Sequence, residues 1–267
     1  VNPVGSQMKE GEILGETGEK IHPALVGILA GAGYQSVPVY CKPRVVFLPT
    51  GDELVPSGGK VDPGKNVESN GVMVSSYVRR FGGEPSVTRI LQDDQEILEK
   101  AILSAVKQAD LVIIGAGSSK GSKDFTMDVL EKIGDVVVQE IGVAPGKHCS
   151  LTMVNDVPVL GIPGPPGGAQ LISQYYVKAA IELLLTGKIS QVQSVPAILD
   201  EDLNVWQIDF MQPVILTYQA DGCHAVPGRG FGDTRARGRF NWYAVTYCEK
   251  GKEYKKGDQI LVEFPLL

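Results

Sequence analysis

Leu111-Val-Ile-Ile-Gly115-Ala-Gly-Ser-Ser-Lys120-Gly-Ser-Lys-Asp124-Phe125 decides how this chain folds. Leu111–Ile114 is apolar at every position, with no polar alternation. Such a run reads as a strand buried on both faces, the kind found inside a parallel sheet. A loop of Gly, Ser and Lys follows, and then a helix from Phe125 to about Ile133 with Asp124 as its cap. Strand, small-residue loop and helix N-terminus together make one βα step.

The same step repeats outward in both directions. Upstream, Arg44–Leu48 is a short β run. Asn70–Phe81 reads as a helix with Ser69 as N-cap and Gly82-Gly83 at its end. Ser86–Leu91 is a strand. Asp93-Asp94 caps a helix through Gln108, whose residues Ile97, Leu98, Ala101, Ile102, Ala105 and Val106 share one face. Downstream, Val136–Val143 is a strand. His148–Val154 and Pro158–Ile162 form a hairpin about Asn155-Asp156, Pro163-Gly-Pro-Pro166 is a rigid loop, and a helix covers about 168–186. Strands alternating with helices imply a doubly wound, mostly parallel α/β sheet over 43–187. After Gly187-Lys188 the pattern loses its helices. Strands near 191–199, 213–218, 223–226, 240–248 and 258–264 predict a small all-β domain over 188–267. Residues 1–42 read as a short β-rich remnant of a further domain, with a short helix over Pro23–Gly33 and a final strand Ser36–Tyr40.

Composition narrows the function. The 267 residues carry a formal charge of −6 and a pI near 5.2. That acidic balance argues against nucleic acid, and the cluster Arg229, Arg235, Arg237 and Arg239 reads as a solvated loop. Cys41, Cys149, Cys223 and Cys248 show no CxxC spacing, and His22, His148 and His224 show no metal spacing. No apolar run reaches the roughly 18 residues of a membrane span. No signal peptide is read, and the opening Val suggests a fragment or processed form.

In a doubly wound sheet, ligands sit outside the carboxyl ends of the strands. Four loops lie there. Thr50-Gly51-Asp52-Glu53-Leu54 offers a tight turn and two carboxylates, suited either to a divalent cation or to capping. Gln92-Asp93-Asp94 reads alone as a helix cap. Gly115–Asp124 combines small residues, hydroxyls and two lysines before a helix, an anion cradle in outline or else a solvent loop. Gly161-Ile-Pro-Gly164-Pro-Pro-Gly-Gly168 opens onto free helix amides, as phosphate seat or as plain turn. Val143-Ala-Pro-Gly-Lys147 places Lys147 on the same edge. No Ser-His-Asp set or cysteine nucleophile stands out, which disfavours acyl transfer.

Taken in order, Thr50–Leu54, Glu68-Ser-Asn70, Asp93-Asp94, Gly117–Asp124, Pro145-Gly-Lys147 and Gly161–Gly164 resemble the motifs of the MoeA and gephyrin E-domain family of molybdopterin molybdenumtransferases. The likeness extends over essentially the whole chain. It implies cytoplasmic homodimers that bind adenylylated molybdopterin, insert molybdate with release of AMP, require Mg²⁺, and meet other molybdenum-cofactor synthesis proteins. By position it assigns Glu53, Asp93 and Asp124 as catalytic carboxylates that also hold the metal. It assigns Thr50, Gly51, Asp52, Gly117, Ser118, Ser119, Lys120, Gly121, Lys147, Pro163 and Gly164 to the pterin ligand. The chain departs from the family at Glu68 for Asp, at Glu140 and Ala144 for Lys, and at Pro165 for Asn. The departures at Glu140, Ala144 and Pro165 motivate a second expectation, a carrier or sensor that binds molybdopterin without turnover.

Overall fold

The computed structural model describes residue 3 and residues 5–115, 125–228 and 244–266. The elements up to the Asn155-Asp156 turn are α1 (Pro23–Gly31), β1 (Arg44–Pro49), β2 (Leu54–Val55), β3 (Asn66–Val67), α2 (Asn70–Arg80), β4 (Glu84–Val87), α3 (Gln95–Ala105), β5 (Leu111–Gly115), α4 (Phe125–Ile133), β6 (Asp135–Val138), β7 (Val143–Ala144) and β8 (Ser150–Val154). Beyond it come β9 (Val157–Ile162), α5 (Pro166–Ile172), a π-turn (Ser173–Val177), α6 (Lys178–Thr186), β10 (Gln193–Leu199), β11 (Asp209–Gln219), β12 (Gly222–Pro227), β13 (Val245–Cys248) and β14 (Gln259–Phe264).

The first sheet runs β4-β1-β5-β9-β8-β6. The pairs β1–β4, β1–β5 and β5–β9 are parallel, while β8 and β6 continue the sheet antiparallel. Strand β5 sits inside it with all five residues buried, as its unbroken apolar run predicts. The alternation of side chains sorts the core into two layers. Val46, Leu48, Val112 and Ile114 pack with Leu98 and Ile102 of α3 and with Val129 and Leu130 of α4. Val45, Phe47, Leu111 and Ile113 pack with Val74 and Val78 of α2, Ile172 of α5 and Ile181 of α6. Each such Leu or Ile contributes roughly 1.5–3 kcal/mol by leaving water. The β8–β9 hairpin turns at Asn155 and Asp156, both with positive φ of 48° and 62°. Asn and Asp tolerate that conformation better than other side chains, which makes them the natural residues for a tight hairpin.

The second sheet runs β12-β10-β14-β13-β11-β7, and β12 pairs with β11 as well as with β10. The strands from β10 through β14, β13 and β11 to β12 therefore close on themselves as a small barrel. Ala197, Leu199, Val214, Ala225, Ile260 and Val262 fill its interior. Leu171, Met211 and Val245 join it to the α/β layer. The Tyr175 hydroxyl donates to Glu263 at 2.6 Å, and burial followed by that carboxylate pushes the phenol pKa up. The Lys178 ammonium donates to the Pro265 carbonyl at 3.0 Å.

Several local expectations change. Residues 1–42 carry a helix, α1, and no strand among those described. Ser36–Tyr40 has no strand beside it, and Val39 and Tyr40 are exposed; β propensity without a pairing partner does not make a strand. The expected strand Val136–Val143 divides, because Ile141 N–H turns to the Lys147 carbonyl at 2.9 Å. Its far end, β7, then pairs with β11 in the second sheet. The expected strand Ser86–Leu91 is β4 plus a single bridge, Thr50 to Leu91. The helix expected from 168 begins at Pro166 and is interrupted by the π-turn. Among the described residues no helix is long and apolar enough to cross a membrane.

Candidate functional site

The carboxyl ends of β1 and β5 are stapled together by Thr50. Its N–H and its hydroxyl both donate to the Gly115 carbonyl, at 3.1 and 2.8 Å. Gly51 N–H reaches the Leu91 carbonyl at 3.1 Å and ties in the end of the β4 segment. Three chain segments thus share one rim because each spends its terminal backbone groups on a neighbour. Gly115 is required there, since a Cβ would lie 2.7 Å from Cζ of Phe47.

Beside this rim is a cavity of about 360 Å³. Thr50, Glu53, Glu68, Asn70 and Gly164 line it, with Phe47, Pro165 and Pro166 among its apolar walls. The convergence of the 50–54 and 161–168 loops rests on Asn70, whose Nδ2 donates to the Gly164 carbonyl at 2.8 Å across 94 positions of sequence. Helix α2 holds Asn70 in place. The Tyr77 hydroxyl, two turns along it, accepts from Gln170 of α5 and Gln174 of the π-turn at 2.9 and 3.0 Å. Those bonds lock α2 to the helix that the Pro163–Pro166 loop opens.

The polar atoms of the cavity are unevenly used. Asn70 is 92% buried, yet its Oδ1 has no hydrogen-bond partner among the described residues. Glu68 Oε1 accepts the Gly71 N–H at 2.8 Å, so a carboxylate caps α2. Ser69 stands at the N-cap position as expected, but its side chain makes no capping bond. Glu53 folds back over Gly51, whose φ of +143° is one that other residues rarely adopt.

Of the residues singled out from sequence, Thr50, Glu53 and Gly164 line this cavity. Gly51 is buried beneath Glu53, and Pro163 is buried just before Gly164. Asp52 and Asp93 stand beside the cavity rather than in it. Each carboxylate accepts the other's backbone N–H at 3.3 Å, and both residues are exposed. Lys147 is not among the lining residues; its ammonium lies 3.6 Å from Glu140, which also bonds His148 at 2.9 Å. Gly117, Ser118, Ser119, Lys120, Gly121 and Asp124 lie outside the described residues. No three His, Cys, Asp or Glu side chains among the described residues gather as a metal site. Asn66, Ser69 and Asn70 line the cavity but were not among the assigned site residues. For Ser69 and Asn70 the signal was the Glu68-Ser-Asn70 motif of the family resemblance, and for Asn66 a polar residue just before that helix.

Comparison with known proteins adds to this geometry. A family described as "Probable molybdopterin binding domain" matches residues 46–182. The chain is 32% identical over 188 residues to a molybdopterin molybdenumtransferase of Haemophilus influenzae, covering 70% of this chain and 46% of that one. It is 29% identical over 203 residues to the same-named protein of Bacillus subtilis, covering 76% and 47%. Among solved structures, a molybdopterin biosynthesis MoeA protein from Pyrococcus horikosii superposes with a TM-score of 0.81 at 26% identity, covering 98% of this chain and 64% of that one. The chain spans about half the length of the curated relatives it matches.

Proposed function

This chain belongs to the family of probable molybdopterin binding domains, in its MoeA branch, and from that premise we propose that it binds adenylylated molybdopterin at the strand-end cavity and inserts molybdate with release of AMP. The observation that carries the reading is the single cavity lined by Glu53, Asn70 and Gly164, which come from three distant segments. Relatives named molybdopterin molybdenumtransferase support a role in molybdenum cofactor biosynthesis.

In this reading, the cavity and the rim beside it hold the ligand while molybdate enters as the second substrate. Glu53 positions water or a proton close to the reacting phosphoanhydride. The carboxylates of Asp52 and Asp93, brought together by their reciprocal backbone bonds, suit Mg²⁺, a hard cation that takes oxygen ligands along with waters and phosphate. When bound there, Mg²⁺ neutralises charge that develops as the pyrophosphate bond breaks. Homodimer formation belongs to the same proposal and is supported by the apolar side chains that residues 1–42 leave exposed, among them Ile13, Val26, Ile28 and Val39.

One observation favours a second reading. Glu140 stands where the family carries Lys and draws Lys147 into an ion pair. A cation engaged in that way is less available to a phosphate, as a carrier or sensor without turnover tolerates. Incubation with adenylylated molybdopterin, molybdate and Mg²⁺ separates the two. The transferase reading expects AMP to appear only when molybdate is present. Tight binding with no AMP, while an authentic MoeA protein turns over in parallel, establishes the carrier instead.

A further inference from the structure

Asn-Gly occurs once in the 267 residues, at Asn70-Gly71. Both residues are buried at the start of α2, where Asn70 meets the 161–168 loop. An Asn followed by Gly closes a five-membered imide ring more readily than other Asn pairs, because glycine puts no side chain in the path of its own nitrogen. The packing here favours each member of this labile pair. A Cβ on Gly71 would stand 2.9 Å from Glu68 Oε2 and 3.1 Å from Val87 Cγ1, so position 71 stays small. Position 70 donates to the Gly164 carbonyl at 2.8 Å, and Asn supplies the N–H that an ionised Asp lacks. The same contacts that join α2 to the loop therefore build in a chemically reactive dipeptide.

We infer that Asn70-Gly71 is a deamidation site that the fold holds shut, and that its reaction unhooks the 161–168 loop from α2. In the first step the Gly71 nitrogen gives up its proton and bonds to Asn70 Cγ. The Cγ–Nδ2 bond breaks, and Nδ2 leaves as ammonia with that proton. Water then opens the imide at one carbonyl or the other, leaving Asp or its β-linked isomer at position 70. Three features of the fold oppose ring closure. Asn70 is the first residue of α2, so its ψ must leave the helical range before the ring can form. The Gly71 N–H is engaged by Glu68 Oε1 at 2.8 Å. The Asn70 amide is engaged by the Gly164 carbonyl. Opening of the first turn releases all three together, so the rate follows the open fraction. Afterwards the new carboxylate has no proton to offer Gly164. A helix tolerates a carboxylate in its first turn, so the Asp product loses the link to the loop and keeps the helix. None of this depends on which ligand the cavity takes.

The test follows position 70 of the full chain by peptide mass spectrometry during incubation at mildly alkaline pH. Deamidation there is expected to run about 100-fold or more slower in the native chain than in the same chain unfolded in urea. Glu68→Ala frees the Gly71 N–H and is expected to speed the native reaction about tenfold, the scale of one lost charge-assisted bond on an opening equilibrium. Asn70→Asp reproduces one product directly. It is expected to remain folded in an unfolding scan and to show faster amide exchange across residues 161–169. A native rate that matches the rate in urea overturns the inference, as does exchange across 161–169 left unchanged by Asn70→Asp. A rate in folded Glu68→Ala that is unchanged or slower also overturns it, because the carboxylate would then be idle or would be the base that activates Gly71. If Glu68→Ala does not fold, the comparison of native and unfolded wild type together with Asn70→Asp still decides.

Discussion

Two polar assemblies in this molecule differ in one respect. In the small barrel, the His224 side chain is only 8% exposed and sits between two carboxylates. Its Nδ1 lies 2.8 Å from Asp200 Oδ1 and its Nε2 lies 3.0 Å from Asp221 Oδ1. Every polar atom of the imidazole is thus answered from within the chain. The barrel gains by it, because Asp200 follows β10, His224 lies in β12, and the β10–β12 pairing closes the ring. In the α/β sheet, Asn70 is equally buried but its Oδ1 is unanswered among the described residues, beside two carboxylates that open onto a cavity. Buried polar groups without partners are rare because each costs about 1–3 kcal/mol. Ser75 Oγ, Thr152 Oγ1 and the barrel's own Trp206 Nε1 are likewise buried without a partner among the described residues; what sets Asn70 apart from them is its place in the wall of the cavity.

The largest effect that can break this contrast is a division between activity and stability. Glu53→Gln is expected to lower AMP release about 100-fold, the usual scale for removing one acid–base group, and to leave thermal unfolding unchanged. His224→Gln is expected to do the reverse, lowering the unfolding temperature while the folded fraction keeps its activity. If Glu53→Gln melts early or His224→Gln loses turnover, the two assemblies have been assigned the wrong way round.

A smaller effect sharpens the contrast through pH. The hydrogen bond with Asp200 raises the His224 pKa above its ordinary 6.5, against burial and with help from Asp221. The His224 bond lowers the Asp221 pKa below its ordinary 3.8. A raised imidazole value stabilises the fold fully below the unfolded value, and that contribution is lost as pH rises through the folded one. A lowered carboxylate value stabilises above its unfolded value, and that contribution is lost as pH falls through the folded one. The pair therefore contributes most between the ordinary carboxylate and imidazole ranges. The unfolding temperature is expected to decline as pH rises from the ordinary imidazole value of 6.5 through the raised value of folded His224, and His224→Gln should flatten that decline.

How much of this was legible in sequence follows from the range of the forces involved. The run Leu111–Ile114 announces a strand buried on both faces because burial acts residue by residue, and β5 is that strand. The Asp94 cap of α3 was legible for the same local reason: its Oδ1 accepts Ile97 N–H at 2.9 Å. The resemblance to the MoeA family pointed to the rim at Thr50, Glu53 and Gly164, all of which line the cavity. Asn70 as the link between α2 and the 161–168 loop was not legible, since its partner lies 94 residues away. Nor was the Glu140–Lys147 pair, a contact of 3.6 Å between two half-exposed side chains. The strand expected at Ser36–Tyr40 shows the same limit, because alternation describes a strand's faces and not its neighbour.

Amide hydrogen exchange in the presence of adenylylated molybdopterin tests the central claim most directly. The account predicts slower exchange in residues 66–71 and in the Gly164 and Gly167–Gly168 amides together, with no change across residues 219–225 of the barrel. Unchanged exchange at both rim segments, or protection that falls on the barrel instead, contradicts it.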